Sequence, residues 1–253
     1  MDTADDWDSL LAATPHVSNY SEVLRARLAT LGRVLLEANL ITNLTALRDP
    51  AGVAMQHFAD SLAVAAVVFA SGSGLGSGSV AAAPVRAADM GTGPGFPLLP
   101  LAMVGPDVAW TGIEATGKKC AFIRSAAVAL DLPNVAVVHA RAEDAGRDPA
   151  LRESFDVVTA RAVGPTASLV EVGLPLLKIG GRLILMKTES ALAEIDALTA
   201  TIRSMGGITR EPLTYRLPGD RQGRVALVIE KIRGSGTKWP RGNGLPFQKP
   251  MGA

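Results

Sequence analysis

The sequence predicts an α/β fold: an N-terminal helical extension, then a parallel sheet closed at one edge by an antiparallel hairpin. Three observations carry this. Apolar residues recur at helical spacing before residue 70. From Val85 onward, short apolar strands alternate with helical segments, the pattern of a parallel sheet covered on both faces. Near the end, two strand-like stretches follow each other with only a short turn region between them.

The elements follow in order. Leu24, Leu28, Leu31 and Leu35 in "YSEVLRARLATLGRVLLEANLI" fall at steps of three and four, one buried helix face. Asp49-Pro50 reads as a helix start, with Asp capping the free N–H groups and Pro in the first turn. The helix that follows, "AGVAMQHFADSLAVAAVV", is apolar on most faces and is expected to pack on another layer. Residues 1–70 are therefore read as a helical extension. Residues 71–84, "SGSGLGSGSVAAAP", are read as a flexible insertion, since alternating Gly and Ser cannot pack a core. Residues 85–233 hold the sheet, with strands "VRAADM", "VAWTGIE", "NVAVVHA", "FDVVTARA" and "GRLILMK". The intervening helices are read at 96–103, 118–130, 168–177 and 191–205, with "LLKIGG" as a helix end and its glycine stop. "ITREPLTYRL" and "RVALVIEKI" form the hairpin, and residues 234–253 are read as a basic tail.

Composition sets bounds. The chain has 253 residues, 48% apolar and 19% charged, enough for a sizeable core. The formal charge of +1 hides an asymmetry. From Arg221 onward there are seven Lys/Arg and one acid, Glu230, so that end suits either a polyanion partner or a solvated surface. A single cysteine, Cys120, excludes an intrachain disulfide and fits a reducing compartment; its place on a helix face marks it as a core thiol. The acidic start is unlike a secretory signal, and the longest apolar run, about residues 62 to 70, is too short to span a bilayer. The reading is a soluble, cytoplasmic protein with no membrane partner.

The stretch "DMGTGPGFPLLPLA" follows the first strand, at the sheet edge where ligands bind. Gly91, Gly93 and Gly95 allow close backbone approach, or simply a tight turn. The dinucleotide fingerprint needs a third glycine where Phe96 stands, and Phe96-Pro97 is a poor cradle for a pyrophosphate. A nucleoside without a phosphate fits better. Glu114 ends the next strand, 19 residues after Gly95, where an acid can accept both ribose hydroxyls or complement a helix dipole. After the third strand, Ala142 and Glu143 are placed to meet an adenine amino group. Arg161 ends the fourth strand, where it suits a cofactor carboxylate, an RNA phosphate or a structural ion pair. An open parallel sheet with a terminal hairpin is the shape of the Rossmann-like methyltransferases, and S-adenosylmethionine is a nucleoside cofactor with no phosphate.

The segments "HFADSLAV", "ADMGTGPGFPLLPLA", "GIEATGKKCAFIR", "VVHARAED", "FDVVTARAVGP" and "LPLLKIGGRLILMK" resemble the rRNA small-subunit methyltransferase G family. The ending "GDRQGRVALVIEKI" with "WPRGNGLPFQKPM" is similar as well, so the likeness spans about residues 20 to 250. It implies a class I methyltransferase sheet and methylation of guanine N7 in small-subunit ribosomal RNA, with S-adenosylmethionine as cofactor. It implies cofactor contacts at Gly91, Phe96, Ala142, Glu143 and Arg161, and makes His57, Asp60 and Ser61 candidate walls of the active site. Leu98 and Thr188 stand where the family usually has glycine. Lys118, Lys187, Arg221, Arg224, Arg241 and Lys249 are the candidate RNA contacts, with Trp239 and Phe247 as stacking faces or packing residues.

Guanine N7 is an unprotonated lone pair, so its methylation releases no proton and requires no general base. Positioning is the work left to the protein. His16, His57 and His139 are scattered and Cys120 is single, which forms no metal-ligand pattern. The competing readings are a small-molecule methyltransferase, an NAD(P)-dependent oxidoreductase, and an RNA-binding factor without activity. The missing third glycine and the terminal hairpin weigh against the oxidoreductase.

Overall fold

The computed structural model describes residues 6–70, 86–161, 164–242 and 244–251. The expected Gly/Ser insertion at 71–84 lies outside them. Seven strands form one sheet in the order β3-β2-β1-β4-β5-β7-β6. They are β1 (Arg86–Met90), β2 (Ala109–Glu114), β3 (Val135–His139), β4 (Phe155–Arg161), β5 (Leu177–Thr188), β6 (Gly207–Tyr215) and β7 (Arg224–Lys231). The first five are parallel; β7 runs antiparallel to both β5 and β6. The chain runs outward from β1 to β3, then returns to lay β4 against β1's free side. Met90 pairs with Ile113 on one side and Ala160 on the other. The strand ends part at that point, which opens a crevice at their carboxyl edge.

Helices cover both faces. On one lie α1 (Trp7–Ala13), α2 (Glu22–Thr42), α3 (Pro50–Val68), α4 (Leu98–Val104) and α5 (Gly117–Ala129), which share a core with Ala87, Val157 and Ile184. On the other lie α6 (Ala142–Ala145), α7 (Thr166–Gly173), α8 (Ala191–Ala197) and α9 (Thr199–Ser204), packed on Ala88, Val158 and Leu183. Residues 87 and 88 face opposite ways because strand side chains alternate. Asp49 caps α3 as expected, accepting from the Gly52 N–H at 2.7 Å. With 19 residues, α3 is long and apolar enough to cross a membrane, longer than the apolar run read from the sequence; 61% of that stretch is buried inside the protein, as in a core helix.

Two readings change. The helical stretch before "LLKIGG" does end there, at Leu176, but the two glycines are not its stop. β5 begins at Leu177, because Phe155 pairs with Leu177 before a bulge restores the ladder at Val157–Arg182. Buried Lys231 donates to the Leu177 carbonyl at 2.7 Å, which fastens that early start. Residues 234–251, expected to be a basic tail, are docked on the second face. Arg152 donates to the carbonyls of Trp239 and Ser235, both at 2.7 Å, and Ser168 donates to that of Pro246 at 2.7 Å, within a segment that ends in α10 (Leu245–Gln248). Its charge and its aromatic residues are drawn in by partners far away in sequence.

The turn from α2 to α3 hangs on one buried side chain. Asn39 accepts from the N–H groups of Leu44 and Thr45 and donates to the carbonyls of Thr45 and Leu47, at 2.7 to 3.0 Å. Its removal strands the Leu44 and Thr45 N–H groups, while Arg48 still donates to the Thr45 and Leu47 carbonyls. Asn39→Ala is therefore expected to lower stability by at least about 1–3 kcal/mol in urea unfolding; a midpoint equal to the parent's contradicts it.

Candidate active site

Two cavities flank the crevice. The first, about 350 Å³, sits over the ends of β1, β2 and β3 and is lined by Gly91, Glu114, Lys119, Ala142, Glu143 and Phe247, among others. Glu114 is buried, and its carboxylate accepts from the N–H of Gly93 at 3.0 Å and of Thr116 at 2.8 Å. Glutamate therefore shapes the glycine loop, while each oxygen keeps a lone pair for a hydroxyl donor. Glu143 Oε1 is buried and has no hydrogen-bond partner, so this wall holds an acceptor waiting for a donor.

The three loop glycines divide the work. Gly91 lines the cavity with φ of +63°. Gly93 has φ of +59° and open space where a Cβ would stand. Gly95 is not among the residues lining the cavity, and a Cβ there would lie 2.6 Å from Leu99, so its bareness serves packing against α4. The ring of Phe96 does not line the cavity either. It is buried and stacks on His57, 4.3 Å between centroids and 9° from parallel. Apolar contact with helix α3 outcompetes exposure to the ligand space.

The second cavity, about 470 Å³, lies over β4 and β5 and reaches the hairpin; its walls include Thr45, His57, Asp60, Arg161, Lys187 and Arg224. The geometry turns on Asp60, which is 2% exposed. It accepts from Arg161 at 3.0 Å, Arg224 at 3.0 Å and the Tyr215 hydroxyl at 2.8 Å. Burial and the neighbouring Asp60 carboxylate push the Tyr215 hydroxyl far above its ordinary value, so it stays a donor. Arg161 also donates to the Gln56 carbonyl at 2.8 Å and to His57 Nδ1 at 2.9 Å. It lines the second cavity and not the first. With Nδ1 accepting, the His57 proton sits on Nε2, 3.1 Å from the Thr45 hydroxyl. Burial, then the Arg161 charge, lowers the His57 pKa to about 3, so the ring is neutral.

A π-helical segment, Ala54–Ala59, sets this up within α3. Such single turns recur at functional sites. His57 and Asp60 share the face that meets Arg161, as their spacing suggested. Ser61 is buried, its hydroxyl has no partner, and it lines neither cavity.

The remaining basic residues scatter. Lys187 lines the second cavity and donates to the Gly164 carbonyl at 2.8 Å. Arg224 is tied to Asp220 as well as Asp60, at 2.6 Å and 3.0 Å. Arg241 is a structural cation: its backbone N–H, Nε and Nη2 all meet the fully buried Glu171 carboxylate at 2.7 to 2.9 Å. Lys118 is exposed and donates to the Thr42 carbonyl at 2.8 Å, joining α5 to the end of α2. Arg221 and Lys249 are exposed.

Residues 25–211 match the family described as GidB, rRNA small subunit methyltransferase G. The chain belongs to that family. Relatives called "Ribosomal RNA small subunit methyltransferase G" are 38% identical over 86% of this chain and 87% of theirs in Leuconostoc citreum. They are 40% identical over 84% and 86% in Roseiflexus castenholzii, and 38% over 86% and 87% in Geobacillus kaustophilus. The matched residues take in most of both cavity walls, from Thr45 to Thr188, while Tyr215, Arg224 and Phe247 lie beyond residue 211. The parallel sheet with its terminal hairpin is the class I methyltransferase arrangement that the sequence led us to expect.

Sequence reasoning passed over Thr45, Gln56, Tyr215 and Asp89. Asp89 had a visible signal, an acid within an apolar strand. It is fully buried, Oδ1 accepts from Thr159 at 2.7 Å, and Oδ2 has no partner. Burial raises its pKa from 3.8 to about 6. The folded chain therefore holds this proton more tightly than the unfolded chain does. That contribution to stability is full below about pH 4 and is lost as pH rises through about 6. Asp89→Asn stays neutral, so its stability relative to the parent's is expected to rise between pH 4 and 6 and level off above. Urea unfolding at stepped pH checks this; a constant difference contradicts it.

Proposed function

We propose that this chain is an S-adenosylmethionine-dependent methyltransferase that methylates N7 of a guanine in small-subunit ribosomal RNA, in the cytoplasm. The observation that carries the reading is the pairing, within this family's sequence, of a carboxylate-walled cavity with an arginine-walled one across the strand crossover. The first cavity suits the cofactor. Glu143 Oε1, buried and unpartnered, fits a donor such as an adenine amino group, and the anchored Glu114 carboxylate fits ribose hydroxyls. Carboxylates also complement a cation, and the bound cofactor supplies a methyl group activated on its sulfonium.

The chain's own part is to hold the base. The second cavity is large enough to receive an extruded nucleotide, and its Lys187, Arg161 and Arg224 give it cationic walls. His57 does not serve as a base: its Nδ1 lone pair is committed to Arg161, its Nε2 carries the proton, and a pKa lowered to about 3 makes the ring a poor proton acceptor. This accords with N7 chemistry, in which no proton leaves. Gly91 lines the cofactor cavity, Arg161 lines the second, and they follow and end adjacent strands, so the reacting groups meet over the β1–β4 junction.

Single-turnover methylation of small-subunit particles is the test. The saturated rate is expected to be flat from about pH 7 to 9, above the range in which Asp89 titrates. A steep sigmoid at saturating RNA overturns the base-free mechanism, and absence of transfer to any guanine N7 overturns the function. Exposed Arg221 and Lys249 are the residues that remain for phosphate contact. Arg221→Gln and Lys249→Gln are each expected to reduce the slope of log affinity against log salt by about 0.7–0.9 while sparing the saturated rate. Unchanged slopes in both remove them from the interface.

A further inference from the structure

The docked segment at 234–251 places an aromatic ring in the cofactor cavity. Phe247, in α10, lines the same cavity as Gly91, Glu114, Ala142 and Glu143. Among the described residues it is the aromatic side chain on that wall, since Phe96 is turned under His57.

The ring is held by a built support. Arg241, at the start of the approach to α10, is clamped to buried Glu171 by three donors. Arg241 also donates to the Lys249 carbonyl at 2.8 Å, which closes the segment on itself across α10. Ser168 fixes the carbonyl just before Phe247, that of Pro246, from a buried position. Gly164 backs the ring so closely that a Cβ there would lie 3.2 Å from Phe247 Cδ1 and Cε1. Solvent packing alone needs none of this: a half-buried phenyl on a surface helix is ordinarily free to rotate away. Here two buried polar groups and a bare glycine fix it beside carboxylates.

A flat apolar ring next to an unpartnered carboxylate oxygen is the chemistry that recognises a flat base: stacking on the face, hydrogen bonding at the amino edge. We propose that Phe247 is a binding residue for the adenine base of the cofactor, so that the C-terminal segment forms part of the cofactor site. The proposal rests on the S-adenosylmethionine reading above. It makes a chain segment outside the sheet, read from the sequence as a basic tail, a determinant of cofactor affinity.

Calorimetry on the full chain with S-adenosylhomocysteine, which carries the base and undergoes no reaction, tests it. Phe247→Ala is expected to bind roughly 10-fold more weakly, the scale of a lost ring–base stack. Phe247→Tyr should stay near the parent, and Phe247→Leu, which preserves apolar packing with α7, should fall between. Methylthioadenosine, which has the base and lacks the amino acid, should lose affinity by the same factor. Ligand-free melts of the leucine and tyrosine variants at the parent's midpoint separate this from misfolding. Parental affinity in folded Phe247→Leu and Phe247→Ala overturns the proposal, as does a loss confined to RNA affinity. A parent that binds no S-adenosylhomocysteine overturns the functional reading beneath it instead.

Discussion

One buried carboxylate organises the site. Asp60 has a side chain 3% exposed and takes donors from β4, β6 and β7 while standing on helix α3. Removing an ion of this kind from water costs several kcal/mol, and the cost is offset only when charged donors saturate it. Two guanidinium groups and a phenol do so here. Removing Asp60 leaves two cations facing each other in a partly dry pocket. The pairing is therefore weak evidence for net stability and strong evidence for position: it fixes where the N-terminal helices sit on the sheet and which way Arg161 points.

From Asp60 the constraint travels to the glycine loop in short steps. Arg161 bridges Asp60 to His57, His57 stacks on Phe96, and Phe96 directly follows Gly95. Arg161 also stands 5.7 Å from the Phe96 ring centroid, so both cation and imidazole rest on one aromatic face. The π turn makes this possible, because it brings the Gln56 carbonyl and the His57 ring together toward Arg161. The second cavity is thus tied through Phe96 to the glycine loop, whose Gly91 lines the first. Neutral His57 is a consequence of the same arrangement: a protonated ring would set a second cation against Arg161 and lose the Nδ1 acceptor.

The sheet was legible because its causes are local. Apolar strands punctuated by glycine and helix starts appear in sequence order, and each parallel strand then has one place to go. Glu114 and the Ala142–Glu143 pair were legible for a related reason, since strand ends in this topology converge on one edge. What stayed hidden is partnership over distance. Arg241 reads as a phosphate contact until Glu171, 70 residues away, is seen buried beneath it. Phe96 reads as a ligand contact until His57 is found stacked on it. The π turn in "AMQHFA" leaves no compositional mark, because apolar residues tolerate either helical hydrogen-bond pattern. "LLKIGG" misled for the converse reason: leucines before two glycines do suit a helix stop, and only the ladder with Phe155 and the buried Lys231 ammonium turn them into strand.

The charge distribution divides along the same crevice. Around the first cavity the buried carboxylates of Glu114 and Glu143 are matched by Lys119 and Arg141 nearer the surface, whereas Arg161, Arg224 and Lys187 outnumber Asp60 in the second. On the function proposed above, a polyanionic acceptor is drawn to the second cavity and away from the balanced first one, so electrostatics sorts the two ligands before shape does. The methyl group carries the positive charge toward the base as it moves, and the product ring ends cationic beside arginines. That product is destabilised where the substrate was not. A site that needs no base catalyst for transfer thereby gains a reason to let its product go, provided its arginines stay charged, and Asp60 is what keeps them in place.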